Sequence, residues 1–303
     1  MKILLTDKTD LDLSWPAGTE LVRFREAEAI PTQHLDADVV IGWGHPASLS
    51  SLKRMPNLRL VQSLSAGVDA FLAAGLPKGA TLVPGRGLHD RTVSEHTVAL
   101  LLSLVRQLPE YFEAQERHLW LSEKRGPKPL HDPDRVSTLI DANVLIWGFG
   151  SIGQHLAPIL TALGANVKGV AQSAGVRGGY RVVAGEDIEG LLPDTDILVM
   201  ILPATTETEG VLDARKLALL PPRALVCNVG RGVTVDADAL VEALKAGRLG
   251  GAALDVTPEE PLPEDSPLWD APNCVITPHV AGFRADGAEA LVLRSLSDLQ
   301  PEL

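Results

Sequence analysis

Cysteine is nearly absent from this 303-residue chain: Cys227 and Cys274 are the only thiols, and they form no C-x-x-C pair. That excludes a disulfide-stapled scaffold and a thiolate zinc site, and reads as two small buried apolar residues. Long apolar runs are missing as well. No uninterrupted stretch approaches the roughly 18 residues of a membrane span, and the apolar run in MKILLTDKTD is too short for a secretory signal. The expectation is a cytoplasmic protein with no membrane partner. Clusters of Lys and Arg are lacking too: 27 basic residues face 39 acidic ones, for a formal charge of -12. A nucleic-acid partner is excluded on that ground, and any anionic ligand must be held by local N–H groups and a few arginines. The eight histidines show no H-x-x-H or H-x-x-x-H pair beside acids, so no metal site is expected. The chain has no solenoid repeat and no low-complexity tract.

What is present is an apolar fraction of 45% and a length that suits about two domains with sizeable cores. The chain is arranged around VLIWGFGSIG, residues 144–153, where an apolar run ends in glycines spaced G-x-G-x-x-G. After it, Leu156, Ile159, Leu160 and Leu163 recur at helical spacing, and Gly164 is placed to end the helix. Strand, glycine turn and helix follow in the order a dinucleotide site needs. Gly148 allows the tight turn, Gly150 removes a side chain where a pyrophosphate must approach, and Gly153 lets helix and strand pack closely. Pro158 should kink that helix, because it lies beyond the first turn and carries no N–H.

Between Lys2 and Pro84 the runs KILLT, ADVVIGW, LRLVQSL and ATLVP read as parallel strands buried on both faces. Ser65, Ala66 and Gly67 end one of them, where backbone N–H groups could meet a carboxylate; a plain tight turn is the other reading. Thr92 and Glu95 have the spacing of a capping box at the start of a helix whose apolar residues cover more than one face. Pro109 should bend or end its first part. Residues 121–135 read as a loop, and the runs VLIWG, VKGVAQ, RVVAG, DILVMILP, ALVCNVG, GAALDV and CVITPH as a second set of strands. Three further stretches end such strands in polar residues: 228–232 (NVGRG), 255–262 (DVTPEEPL) and 277–282 (TPHVAG). Singly, Arg231, Glu260 and His279 read as a surface arginine, a loop charge and a partly buried histidine. Together they supply what carbonyl reduction needs: a cation, a carboxylate partner and a proton donor.

At these residues the sequence resembles the D-isomer-specific 2-hydroxyacid dehydrogenases, closest to their glyoxylate/hydroxypyruvate reductase branch. The resemblance rests on LVQSLSAGVD, VSEHTVALLLSLVR, the glycine-turn segment, ILPATTETEGV, CNVGRG, ALDVTPEEPL and NCVITPHVAG, in the family's order and spacing. It implies an α/β fold in which a Rossmann-type doubly wound parallel sheet, residues 93–283, is inserted into a smaller flavodoxin-like substrate domain, residues 1–92 plus 284–303. It further implies a homodimer built largely on the long helix after Ser94, and a small 2-oxo or 2-hydroxy acid as substrate. His279 is then the acid that protonates the carbonyl oxygen, Glu260 its partner, and Arg231 the substrate's cation. Ser65, Ala66 and Gly67 hold the substrate carboxylate, and Asp255 stands near the nicotinamide amide. The expected cofactor-binding set is Gly148, Phe149, Gly150, Ser151, Ile152, Gln172, Ser173, Arg177, Pro203, Thr208, Val229, Gly230, Arg231, Asp255 and His279.

The position where an NAD site carries an acid for the adenosine ribose holds Ala171, followed by Gln172 and Ser173, with Arg177 beyond. NADP is therefore favoured over NAD. Trp43, Leu64 and Leu88 suggest a small, partly apolar substrate pocket. The chain runs to Leu303 soon after AGFRADGAEALVLRSLSDL, where relatives usually continue with a helix and tail against the substrate domain, so the closure of that domain is left open. Two alternatives stand beside the main reading. One is a non-enzymatic NAD(P)-binding regulator on the same fold, against which the intact Arg231, Glu260 and His279 argue. The other is a formate or phosphonate dehydrogenase; formate enzymes typically carry glutamine where Glu260 stands.

Overall fold

The computed structural model describes residues 1–126, 129–282 and 287–299, and its strands fall into two separate sheets. Of the expected loop at 121–135, Pro127 and Lys128 lie outside the described residues, as do 283–286 and 300–303 at the C-terminal side. The chain folds as two compact units, Met1–His89 with Phe283–Leu303, and Asp90–Gly282.

In the first unit β1 (Lys2–Thr6), β2 (Glu20–Phe24), β3 (Val39–Gly42), β4 (Leu60–Ser63) and β5 (Thr81–Val83) form a wholly parallel sheet in the order β2-β1-β3-β4-β5. Alternate residues face opposite sides: Leu4, Val40 and Val61 enter one core with Phe24, Met55 and Phe71, while Ile3, Leu5, Val39, Ile41 and Leu60 enter the other. Both faces are covered, as a parallel sheet requires. Strand β2 is absent from the sequence reading because ELVRF sits at the sheet edge with Glu20, Leu21 and Arg23 exposed, which breaks the apolar run. Leu64 and Leu88 are buried in the second core rather than lining an open pocket, and the Trp43 ring N–H donates to Thr9 Oγ1 at 2.9 Å. Two short helices, α1 (Pro46–Leu49) and α2 (Asp69–Ala74), follow β3 and β4.

The second unit has eight strands: β6 (Asn143–Trp147), β7 (Asn166–Ala171), β8 (Gly175–Arg177), β9 (Tyr180–Ala184), β10 (Ile197–Met200), β11 (Leu225–Asn228), β12 (Gly251–Leu254) and β13 (Cys274–Ile276). Their order is β13-β12-β11-β10-β6-β7-β9-β8, parallel except for the β8–β9 pair. Strand order reverses at β6, the switch point where an open α/β sheet places its ligand crevice. Helices α3 (Asp90–Val105), α4 (Leu108–Glu116), α5 (Ser151–Ala162), α6 (Ala214–Leu217) and α7 (Ala237–Lys245) complete this unit. Leu100 and Leu101 of α3 and Leu156 and Leu160 of α5 pack with Val144, Ile146 and Val199 on one face; Leu217 of α6 and Leu240 and Leu244 of α7 pack with Leu145, Leu198 and Val226 on the other. Each such leucine removed from water contributes about 1.5–3 kcal/mol, so the two helix layers hold the sheet from both sides.

Three local expectations change. The long helix begins at Asp90, not after Thr92: Gly87, at φ +88°, turns the chain before it, and Asp90 sets a carboxylate in the first turn where the helix dipole favours one. Pro109 opens α4 rather than ending α3, which stops at Val105; the break falls at Gln107, in the left-handed region at φ +56°. Pro158 does not interrupt α5, because it lies on the exposed side, where the carbonyl it leaves without an N–H faces water. The first unit regains the chain at α8 (Glu289–Leu299), whose Val292 and Leu296 pack on the β1, β3 and β4 face and whose Ser295 hydroxyl donates to Gln62 Oε1. The segment whose role in closing the substrate domain the sequence leaves open is thus itself a helix that covers the sheet.

Candidate active site

Gly148 stands at φ +105°, and a Cβ there would lie 2.3 Å from the Ile201 carbonyl oxygen, so only glycine fits between β6 and β10. Gly153 lies against the Gly148 carbonyl, 3.0 Å from a Cβ position, which brings α5 close to the turn. Gly150 is different: nothing lies within 4 Å of where its Cβ would be. The first N–H groups of α5 open on that space, and a helix N-terminus beside a bare glycine backbone suits a pyrophosphate. Of the neighbouring expected contacts, Phe149 is 1% exposed, its ring packs against Gly169 and its N–H donates to the Val170 carbonyl at 3.0 Å, so it shapes the turn rather than offering a side chain to a ligand. The Ser151 hydroxyl donates to Asp90 Oδ1 at 3.0 Å, and Ile152 packs against the core.

At the end of β7, Ala171, Gln172 and Ser173 carry no charge. Strand β8, absent from the sequence reading because the glycines around it look like plain loop, pairs with β9, which was read as the run RVVAG, and returns Arg177 to this edge. Arg177 Nη2 donates to Ser173 Oγ at 2.8 Å and to the Ser173 carbonyl at 3.1 Å, while Nη1 reaches the Phe149 carbonyl at 3.4 Å. A guanidinium is thereby fixed between the glycine turn and the strand end. Pro203 and Thr208 pair with each other: the Thr208 hydroxyl donates to the Pro203 carbonyl at 2.6 Å and accepts from the Thr205 N–H at 2.9 Å.

The NVGRG turn after β11 aims Arg231 by two close approaches. A Cβ on Gly230 would meet the Leu202 backbone at 2.6 Å, and one on Gly232 would meet the Thr257 carbonyl carbon at 1.9 Å. Asn228 ties the turn, accepting from the Gly230 N–H at 3.0 Å and donating to the Arg231 carbonyl at 3.0 Å; Val229 is buried and donates its N–H to the Met200 carbonyl. Arg231 Nη1 donates to the Gly230 carbonyl at 2.8 Å.

Beyond β12, Glu260 Oε1 accepts from the Thr257 N–H at 3.1 Å, and Oε2 accepts from His279 Nδ1 at 2.7 Å. A carboxylate only accepts, so the proton of this bond sits on Nδ1. The hydrogen bond and charge of Glu260, with Asp255, raise the histidine above its ordinary value against burial and the opposing charge of Arg231. Burial pushes Glu260 up, but the hydrogen bond and charge of His279, the Thr257 N–H and Arg231 together outweigh it and hold the carboxyl below its usual range. Arg231, Glu260 and His279 therefore lie close enough to act on one another's charge. The His279 and Glu260 side chains keep 46% and 39% of their surface exposed, so the pair faces solvent and can be reached.

Asp255 is placed otherwise than a free ligand contact would be. Its carboxylate is 1% exposed and accepts from Thr277 Oγ1, Val280 N–H and Ala281 N–H, with His96 Nε2 3.3 Å from its Oδ1. It holds the loop that carries His279, and among the described residues its Oδ2 accepts only from Ala281. His96 and Thr277 were missed by sequence reasoning. No spacing rule links a helix residue near position 96 to a strand end near 255; only the sheet order brings them together. In the first unit Ser65 donates its hydroxyl to the Trp43 carbonyl at 2.9 Å, and among the described residues no hydrogen bond occupies the N–H groups of Ala66 and Gly67.

Residues 98–281 match the model of the D-isomer specific 2-hydroxyacid dehydrogenase NAD binding domain. The chain belongs to that family. A glyoxylate/hydroxypyruvate reductase B of Pectobacterium carotovorum is 35% identical over 255 residues, covering 80% of this chain and 75% of its own. Among solved structures, a D-isomer specific 2-hydroxyacid dehydrogenase family protein from Aeromonas salmonicida superposes with a TM-score of 0.82 at 31% identity, covering 100% of this chain and 96% of that one. An NADPH-dependent glyoxylate/hydroxypyruvate reductase from Sinorhizobium meliloti, solved with NADP and sulfate, superposes at 0.77 with 28% identity, covering 99% and 95%. As a 2-hydroxyacid dehydrogenase the chain is an NAD(P)-dependent oxidoreductase, and its cofactor domain lies in the second unit.

Proposed function

We propose that this dehydrogenase reduces a small 2-oxo acid, of the size of glyoxylate or hydroxypyruvate, to the D-2-hydroxy acid with NADPH. The observation that carries the reading is the His279–Glu260 hydrogen bond beside Arg231 at the strand ends of a Rossmann sheet. Gly150 and the N-terminus of α5 would hold the pyrophosphate, and Arg177 with Ser173 the 2'-phosphate of NADPH, whose nicotinamide supplies the hydride. The absence of a carboxylate at Ala171 removes the repulsion a 2'-phosphate would meet, and the Sinorhizobium reductase's NADP complex supports the same preference.

Arg231 binds the 2-oxo acid and stabilises the charge that grows on its carbonyl oxygen. His279, loaded with a proton by Glu260, delivers that proton from Nε2 while Nδ1 stays hydrogen-bonded to the carboxylate. In the first unit, the substrate domain, Ala66 and Gly67 offer backbone N–H groups to the substrate carboxylate, beside Ser65, whose own N–H donates to Ser63 Oγ at 3.1 Å and holds the turn. The reading includes a homodimer in the cytoplasm. No described helix is long and apolar enough to cross a membrane, and the α4 region exposes Tyr111, Phe112, Leu119, Leu130 and Trp120, the last at 79%, apolar surface of the kind a partner subunit covers.

The test is His279→Ala. Turnover on glyoxylate and hydroxypyruvate should fall about 10²- to 10⁴-fold, the usual share of a general acid, with NADPH still bound. Near-wild-type reduction by this variant would remove His279 from the mechanism.

A further inference from the structure

We infer that His96 is a positioning residue for His279, acting through Thr277 and Asp255; the inference rests on the dehydrogenase reading above. Asp255 holds both sides of the His279 loop. Its backbone carbonyl accepts from the His279 N–H at 2.7 Å, its Oδ1 from Thr277 Oγ1 at 2.6 Å and Val280 N–H at 3.0 Å, and its Oδ2 from Ala281 N–H at 2.9 Å. His279 needs that hold, because its φ of +54° is a left-handed conformation that a residue with a Cβ adopts only when its surroundings fix it.

His96 reaches this cluster from α3, which packs against β12. Its Nε2 lies 3.0 Å from Thr277 Oγ1 and 3.3 Å from Asp255 Oδ1. The hydroxyl of Thr277 has one proton, and at 2.6 Å from an acceptor-only carboxylate that proton points to Asp255. Thr277 Oγ1 can then only accept from His96, and Asp255 Oδ1 can only accept as well. Nε2 of His96 therefore carries hydrogen and donates it to Thr277 Oγ1, with Asp255 Oδ1 3.3 Å away on the same side. This N–H holds the Thr277 hydroxyl in the orientation that donates to a carboxylate only 1% exposed, and so acts on both anchors of the loop, on Thr277 directly and on Asp255 through it. Without it the Thr277 hydroxyl is free to rotate away from Asp255, the strand end that leads into the loop loosens toward a less strained backbone, and His279 loses its alignment with Glu260 and with the substrate oxygen. His96 never touches the reacting atoms.

The experiment compares the full-length wild type with His96→Leu, which cannot donate, and His96→Gln, whose amide N–H reaches where Nε2 stood. Histidine-selective ¹⁵N NMR follows the titration of His279, and steady-state kinetics follow reduction of hydroxypyruvate. In His96→Leu the His279 titration should fall toward the ordinary histidine value and kcat should drop about 10- to 100-fold, the scale of a small misplacement, with KM for NADPH within about twofold. His96→Gln should restore most of both. Should His96→Leu fail to fold, Thr277→Val removes the hydroxyl link without losing volume and should give the same pair of losses. The inference is overturned if His96→Leu or Thr277→Val titrates and turns over as the wild type does, or if His96→Gln is as impaired as His96→Leu. Because the titration is read without turnover, a wild type inactive on every 2-oxo acid would defeat the dehydrogenase reading and leave this test legible.

Discussion

His279 and Glu260 titrate in opposite directions because each is the other's partner. The histidine is held above its ordinary value, so its contribution to stability is complete below the unfolded-state value and is lost as pH rises through the raised one. Glu260 is held below its ordinary value, so its contribution is present above the unfolded-state value and is lost as pH falls through the lowered one. The ion pair is thus intact between those limits, and within them the acid is loaded for reduction. Reduction should decline as pH rises through the raised histidine value, and oxidation of the hydroxy acid, which needs the neutral ring, should gain over the same interval. Glu260→Gln removes the carboxylate that holds the proton: the alkaline limb of the reduction profile should move to lower pH, so that the variant loses most activity on the alkaline side of the profile. A profile superimposable on the wild type would show that Glu260 does not set the acid. Arg231, Glu260 and His279 were legible in the sequence as candidates, since each ends an apolar run with a polar motif and the family supplies their order. His96 was not, for its partners Thr277 and Asp255 are distant in the chain and meet it only through the packing of α3 on β12.

At the scale of elements, the glycine turn separates what folds the protein from what binds the ligand. Gly148→Ala would place a Cβ at 2.3 Å from the Ile201 carbonyl and force a side chain into φ +105°. It should destabilise the fold by about 2 kcal/mol or more, as a backbone clash with no flexible neighbour does. Gly150→Val meets open space; the melting temperature should stay within a few degrees of wild type while NADPH affinity falls at least about tenfold, by blocking the approach of the phosphates. Equal loss of stability in both variants would contradict that division of labour. The β8–β9 hairpin carries the second prediction at this scale. Arg177→Ala should lower kcat/KM with NADPH about tenfold or more and leave NADH nearly unchanged, since only the 2'-phosphate needs the guanidinium; equal losses with both cofactors would refute the assignment. Apolar runs revealed the central strands, which are buried on both faces. They could not reveal β2 or β8, edge strands whose exposed residues break the run, and the Thr92 spacing misled because Gly87 and Asp90 start the helix sooner.

The whole molecule follows one rule, that parallel strands buried on both sides deliver their polar ends to one rim. The five-stranded and eight-stranded sheets both obey it, and the strand order of the second, reversing at β6, places the glycine turn, Arg231, Glu260 and His279 at strand ends on the same edge. That much could be anticipated from the order of apolar runs and motifs, whereas the covering of the first sheet by α8 depended on the spacing of Val292 and Leu296 near the chain's end. The central claim is that this edge reduces a 2-oxo acid by hydride transfer, and it is tested most directly by following the hydride itself. Hydroxypyruvate incubated with the purified chain and NADPH deuterated at the transferring C4 position should give D-glycerate with one deuterium at C2 for each NADPH oxidised. Glycerate without deuterium at C2, the L product, or no glycerate from hydroxypyruvate with either nicotinamide cofactor would contradict the account.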